Sequence, residues 1–297
     1  MCGIAGLFLK DAKLEPDLGS MLARMLSPLS DRGPDSAGFA VYGAETPGHV
    51  KFTLRLPPTA DVDGLLKSLR DELGERIAHR LHGTHVVVII PAGRVALARR
   101  VLATFADIAI VGAGRRMEIF KEVGRPDDVS EQFGLGAMRG THAVGHTRMA
   151  TESAVTTNGA HPFTTGNDQC LVHNGSLSNH CAVRRDLIKK GLSFQTENDS
   201  EVAAGFITAK LSDGASLQQA MESCLDSLDG FYTFVIGTEA GFGVLRDPIA
   251  CKPAVVAETD QLVAFGTEYR ALVDLPGIAS AKVWEPAPGT VYRWELH

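Results

Sequence analysis

Cysteine is scarce and unpaired in this chain. Five occur in 297 residues, Cys2, Cys170, Cys181, Cys224 and Cys251, an odd number with no close-spaced pair. That pattern excludes a disulfide framework and a zinc ribbon and fits a reducing cytoplasm. A block of one charge is also missing. The 29 basic and 35 acidic residues are intermixed and leave a net charge of -6, so there is no basic stripe to hold nucleic acid or an anionic membrane. No apolar run is long enough to span a bilayer, and Met1-Cys2-Gly3-Ile4 opens without the basic and apolar regions of a secretory signal. Repeats and low-complexity segments are absent. The dinucleotide fingerprint is incomplete, because Met117 stands at the third glycine of IVGAGRRM (110–117). His79, His82 and His85 are evenly spaced, but Gly83 interrupts any helix that would align them and no acidic ligand is near, so no metal site is expected.

What the chain does have is 44% hydrophobic residues, enough to bury a core without covalent staples. Residues 2–9 (CGIAGLFL) read as a buried strand, and Leu18, Met21, Leu22, Met25 and Leu26 follow at helical spacing. A strand at 39–42, a helix marked by Val62, Leu65, Leu66, Leu69, Leu73 and Ile77, and strands at 86–90 and 108–112 come next. The stretch 124–140 is polar and contains glycine. Helices are expected from about Asp199, with Val202, Phe206, Ile207 and Leu211 inward, and around Leu217, Met221, Leu225 and Leu228. A hairpin at 230–245 and several short strands close the chain. Strands cluster at both ends with helices between, which predicts a layered α+β fold rather than a βαβ repeat.

Cys2 precedes Gly3, and removal of Met1 would place a thiol and a free α-amino group on one residue. With a pKa of about 7.7 to 8 against about 8.5 for the thiol, the amine can accept the thiol proton near neutrality. Alone, such a cysteine is more often a buried, inert strand residue. Its company changes that reading: RGPDSAG at 32–38, GHTRMAT at 145–151, NGAHPF at 158–163, VHNGSLSN at 172–179 and ENDSE at 197–201. With the N-terminal CGIAGL, and in this order, these segments resemble the class II glutamine amidotransferases, a branch of the N-terminal nucleophile (Ntn) hydrolases.

The resemblance implies a fold and a site. The fold is a four-layer αββα sandwich of two antiparallel sheets, here one domain over 2–297 with an α+β lobe inserted at about 47–140, given the long separation of Asp35 from His146. Cys2 would attack the side-chain amide of glutamine. Asn174 and Gly175 would form the oxyanion hole, Arg148 would grip the substrate α-carboxylate and Asp199 its α-ammonium. Thr151 and His161 match substrate-proximal residues and Arg32 an arginine near the nucleophile. Met149 departs from the aromatic residue that several members carry, which predicts a different closure of the covering loop.

The chain carries no phosphate-binding glycine loop and ends soon after its last expected strand. The expectation is therefore a stand-alone amidotransferase subunit without a cofactor of its own. It would pass ammonia, within a hetero-oligomer, to flavin- and iron–sulfur-containing subunits of the glutamate-synthase or N-methylglutamate synthase kind. Two other readings stay open: an independent amidase for another γ-glutamyl compound, and a non-catalytic glutamine-binding scaffold.

Overall fold

The first strand, β1 (Gly3–Leu9), is buried along its whole length. Ala5, Leu7 and Leu9 face one apolar layer while Ile4 and Phe8 face another, the alternation a strand imposes when both its faces are covered. A computed structural model of the chain describes residues 2–150 and 154–296. After β1 come α1 (Leu18–Leu26), β2 (Ser36–Tyr42), β3 (His49–Arg55), α2 (Val62–Leu73), β4 (Ala78–His82), β5 (His85–Pro91) and α3 (Val95–Leu102). Next are β6 (Ala109–Gly114), β7 (Met117–Val123), α4 (Pro126–Phe133), β8 (His142–Arg148), β9 (Gln169–Leu177), α5 (His180–Lys189), α6 (Asp199–Ser212) and α7 (Leu217–Ser227). The chain closes with β10 (Gly230–Thr238), β11 (Gly241–Arg246), β12 (Val255–Glu258), β13 (Leu262–Gly266), β14 (Lys282–Trp284) and β15 (Val291–Glu295).

Among the described residues the strands form three sheets. The largest has the order β14-β12-β13-β1-β8-β2-β7, and a second has the order β15-β11-β10-β9. Ile4, Phe8, Tyr42 and Val144 of the first meet Val172, Val235 and Phe242 of the second in one apolar layer. Helices α1 and α4 cover the outer face of the large sheet, and α6 and α7 cover that of the small one. The result is the layered αββα arrangement of antiparallel sheets that the resemblance implies.

The third sheet, β4-β5-β3-β6, packs α2 and α3 around its own core of Phe52, Leu54, Leu65, Leu69, Val86 and Val88. Within the stretch 47–140 this separate sheet runs from His49 to Gly114. Beyond it, β7 pairs with β2 and α4 seals the main core through Val129 and Phe133. Asp168 ties the lobe to the body. Its carboxylate accepts hydrogen bonds from the backbone N–H groups of Arg115, Arg116 and Met117 at 2.6, 2.8 and 2.9 Å, capping the turn between β6 and β7.

Two differences from the sequence reading are informative. The polar stretch at 124–140 contains α4, whose first turn Pro126-Asp127-Asp128 is a regular helix start that the low apolar content obscures. Helix α6 is buried on nearly every side from Ser200 to Ile207 because it lies between β9 and α5. A single inward face was therefore too little to assign to it, and Leu211, expected inward, is half-buried. No helix among the described residues is long and apolar enough to cross a membrane.

Candidate active site

Antiparallel pairing of β1 with β8 sets Gly3 opposite Thr147 and Ile4 opposite His146, so Cys2 emerges beside the strand end that carries Arg148. The Cys2 Sγ lies 3.8 Å from the Met149 carbonyl oxygen. Cys2, Arg148, His161, Gly175 and Asp199 line one cavity of about 800 Å³, together with Lys252. Asn174 stands just behind, its Nδ2 donating to the Cys2 carbonyl at 3.3 Å and to Thr267 Oγ1 at 3.2 Å. Arg32 Nε donates to the same Cys2 carbonyl at 3.1 Å, and its guanidinium pairs with Glu268. Seven of the residues singled out in the sequence thus converge on one place. Thr151 lies outside the described residues.

Local packing explains why these motifs have their composition. The turn after Arg32 wraps the end of β8 backbone to backbone: a Cβ on Gly33 would sit 2.4 Å from the Thr147 carbonyl carbon and 2.5 Å from the Arg148 nitrogen. Asp35 then accepts from the Ala150 N–H at 2.8 Å, fixing the exit from the strand. Gly175 has φ of +151°, and a Cβ there would lie 2.0 Å from the Phe231 carbonyl oxygen. Only glycine lets β9 approach β10 in this way. Asn198 caps α6, accepting from the Ser200 N–H at 2.8 Å, and Asp199 accepts from the Leu177 N–H at 2.8 Å. Helix α6 and strand β9 are thereby locked together at the cavity.

A buried histidine cluster forms part of the cavity wall, with His161 and His173 lining it and His146 behind them. His161 stacks on His146 at 4.0 Å between ring centroids, and the Ser200 hydroxyl is within 3.0 Å of His161 Nε2 and 2.9 Å of His173 Nδ1. His146 Nε2 lies 3.1 Å from the His173 carbonyl. Burial pushes His146 down to about 3, and it pushes His161 well below the usual histidine range with help from its imidazole neighbours. His173 falls to about 4, again through burial, with Asp199 opposing. Elsewhere His85 and His142 are held near 3 by burial. All five are neutral at pH 7. The unfolded chain takes up protons on them below about pH 6.5, while the folded chain resists until about pH 3 at His85, His142 and His146 and about pH 4 at His173. Stability therefore falls as pH drops through this window. Thermal melts at intervals from pH 7.5 to 5 should show Tm decreasing progressively below about 6.5; a flat profile would contradict the neutral assignment.

Sequence reasoning missed Glu268, Thr267, Ser200 and Lys252. Thr267 and Glu268 directly follow β13 and reach the nucleophile only through tertiary structure. Thr267 Oγ1 accepts from the Ile4 N–H at 2.7 Å as well as from Asn174. Burial works to raise the Glu268 carboxyl, but hydrogen bonds and charge from Arg32 and Arg270 outweigh it and hold the group below the ordinary carboxylate range. A signal did exist for Ser200, which sits inside the ENDSE segment beside Asp199. Among the described residues no group of three or more His, Cys, Asp or Glu is arranged to hold a metal ion.

Two antiparallel sheets between helical layers, with a cysteine leading a central strand into a cavity, define the Ntn-hydrolase amidotransferase fold. The glutamine phosphoribosylpyrophosphate amidotransferase of B. subtilis superposes with a TM-score of 0.64 at 20% identity, over 99% of this chain and 47% of that one. The chain thus spans about half the length of that solved relative. A model of the glutamine amidotransferase domain matches residues 146–274. The glutamine amidotransferase-like protein GlxB of Rhizobium meliloti (strain 1021) is 58% identical over 99% of this chain and 98% of its own length. A putative glutamine amidotransferase of Methanothermobacter thermautotrophicus is 32% identical over the whole of both chains. The chain belongs to the class II glutamine amidotransferases.

Proposed function

We propose that this protein hydrolyses glutamine to glutamate and ammonia through a thioester on Cys2, and that the ammonia is used by a partner synthase subunit. The observation that carries this reading is the single cavity walled by Cys2, Arg148 and Asp199. A thiol nucleophile there faces a guanidinium suited to the α-carboxylate and a carboxylate suited to the α-ammonium of an amino acid. Removal of Met1 frees the Cys2 α-amino group to accept the thiol proton. The thiolate then bonds to the amide carbon, the carbonyl oxygen carries the negative charge, and Asn174 and the Gly175 N–H stabilise it. Collapse breaks the carbon–nitrogen bond, the proton leaves with ammonia, and water hydrolyses the thioester. Arg32 and Asn174, both bonded to the Cys2 carbonyl, hold the nucleophile in place.

The partner assignment rests on the sequence resemblance. Flavin and iron–sulfur chemistry belong to the other subunits of a cytoplasmic hetero-oligomer, of the glutamate-synthase or N-methylglutamate synthase kind. Purified from its source, the chain should co-elute with a flavoprotein; full synthase activity from this chain alone would contradict the assignment.

Arg148 offers the direct test of substrate recognition. A charge-assisted hydrogen bond contributes about 1.5 to 3 kcal/mol, so Arg148→Leu should raise KM for glutamine roughly ten- to a hundred-fold with a smaller change in kcat. Ammonia release measured across glutamine concentrations reads both constants. An unchanged KM would remove Arg148 from the carboxylate role.

A further inference from the structure

Two charged residues that do not line the cavity are buried beside it. Lys121, on β7, is 5% exposed and directs its ammonium at three alternate backbone carbonyls, those of Asn158, Ala160 and Pro162, at 3.3, 2.8 and 3.3 Å. Three donors meet three acceptors, so the ammonium is fully satisfied, and it sits 4.7 Å from the centre of the Phe163 ring. The segment bent around it supplies Thr156, Gly159 and His161 to the cavity wall. Glu201, in the first turn of α6 and 4% exposed, does the same for another wall. Its carboxylate accepts from the Gln195 N–H, the Thr196 N–H and the Thr196 hydroxyl, each at 2.7 Å, and the cavity is lined next by Thr196, Glu197 and Asn198.

We propose that Lys121 and Glu201 are positioning residues, a buried cation and a buried anion that each gather one cavity-lining loop and so set affinity for the amino-acid head group. A buried charge is costly unless its hydrogen-bonding capacity is met, and here backbone groups of the two loops meet it. The charges also act on each other. Burial lowers the Lys121 ammonium to about 8, and the Glu201 charge opposes that fall. Lys121→Met leaves three carbonyls of one loop without their donor, and Glu201→Gln sets an NH2 donor against the groups that met one carboxylate oxygen, so each loop loosens while Cys2 and Asn174 keep their own contacts.

The kinetic half of this inference rests on the glutamine-hydrolysis reading; the structural half does not. Hydrogen–deuterium exchange on the full chain without glutamine should speed up in 154–163 for Lys121→Met and in 195–198 for Glu201→Gln. Steady-state kinetics should show KM for glutamine raised about tenfold, corresponding to about 1.4 kcal/mol, with kcat within about twofold. Wild-type exchange rates in the loops of the folded variants would overturn the proposal, and so would a loss confined to kcat. If Lys121→Met does not fold, the isosteric Glu201→Gln carries the same test. A wild-type chain that releases no ammonia from glutamine would defeat the functional reading, while the exchange rates still decide whether the two charges hold the loops.

Discussion

Alanine in place of Cys2 should abolish glutamine hydrolysis and leave the melting temperature close to that of the wild type. Only the sulfur is removed, from a half-buried residue whose thiol lies 3.8 Å from the Met149 carbonyl, a weak contact. The backbone contacts that fix the site, from Arg32 and Asn174 to the Cys2 carbonyl, do not involve that side chain. No other thiol can take over. Cys170 is buried between the sheets with its thiol pushed up to about 12, and Cys224 is buried on the inner face of α7 and raised further. Cys181 and Cys251 are exposed and do not line the cavity. Residual turnover above about one per cent of wild type in Cys2→Ala, more than a deleted nucleophile permits, would show that the nucleophile lies elsewhere. Circular dichroism and a thermal melt of the same sample separate loss of chemistry from loss of fold.

Asn174→Ala should cost roughly 2.7 to 4 kcal/mol of activation free energy, a factor of about 10² to 10³ in kcat, if the amide donates to the developing oxyanion. The substitution also removes one of two donors to the Cys2 carbonyl, but Arg32 Nε remains at 3.1 Å, so the nucleophile keeps an anchor. Asn174→Asp is the sharper companion. It keeps the shape of the side chain but sets an acceptor, negatively charged when ionised, where negative charge must develop, and it should be at least as damaging as alanine. Turnover undiminished in Asn174→Ala would take the residue out of the mechanism and leave the Gly175 N–H as the remaining donor of the proposed pair.

How far the sequence revealed this site depends on the range of the contacts involved. Cys2, Arg148, Asn174, Gly175 and Asp199 were legible because each sits in a short motif whose neighbours share its task, as Gly33 and Asp35 do in shaping the end of β8. Glu268 was not. It meets Arg32 across 236 positions, and nothing local distinguishes it from a surface acid. Glu201 misleads in another way: an acidic residue in the first turn of a helix is commonplace, and only the packing of α6 between β9 and α5 makes it a buried one. Lys121 is hidden for the same reason, being a lysine on an edge strand until the 158–162 segment folds over it. The layered fold itself was readable because strands such as β1 carry apolar residues on both faces. The run VVVII was read as a strand on the same basis, but nothing in it reveals that β5 joins a separate sheet whose Val86 and Val88 pack in the lobe while Val87 joins the main core.

The proposed mechanism turns on a covalent bond between Cys2 and the glutamyl group, which mass spectrometry of the N-terminal peptide, quenched in acid during turnover of glutamine, would detect. The expected peptide begins at Cys2, without Met1, and carries a γ-glutamyl adduct on Sγ that disappears when glutamine is exhausted. An active protein that retains Met1, or that turns over glutamine at full rate with Cys2 alkylated, would contradict it.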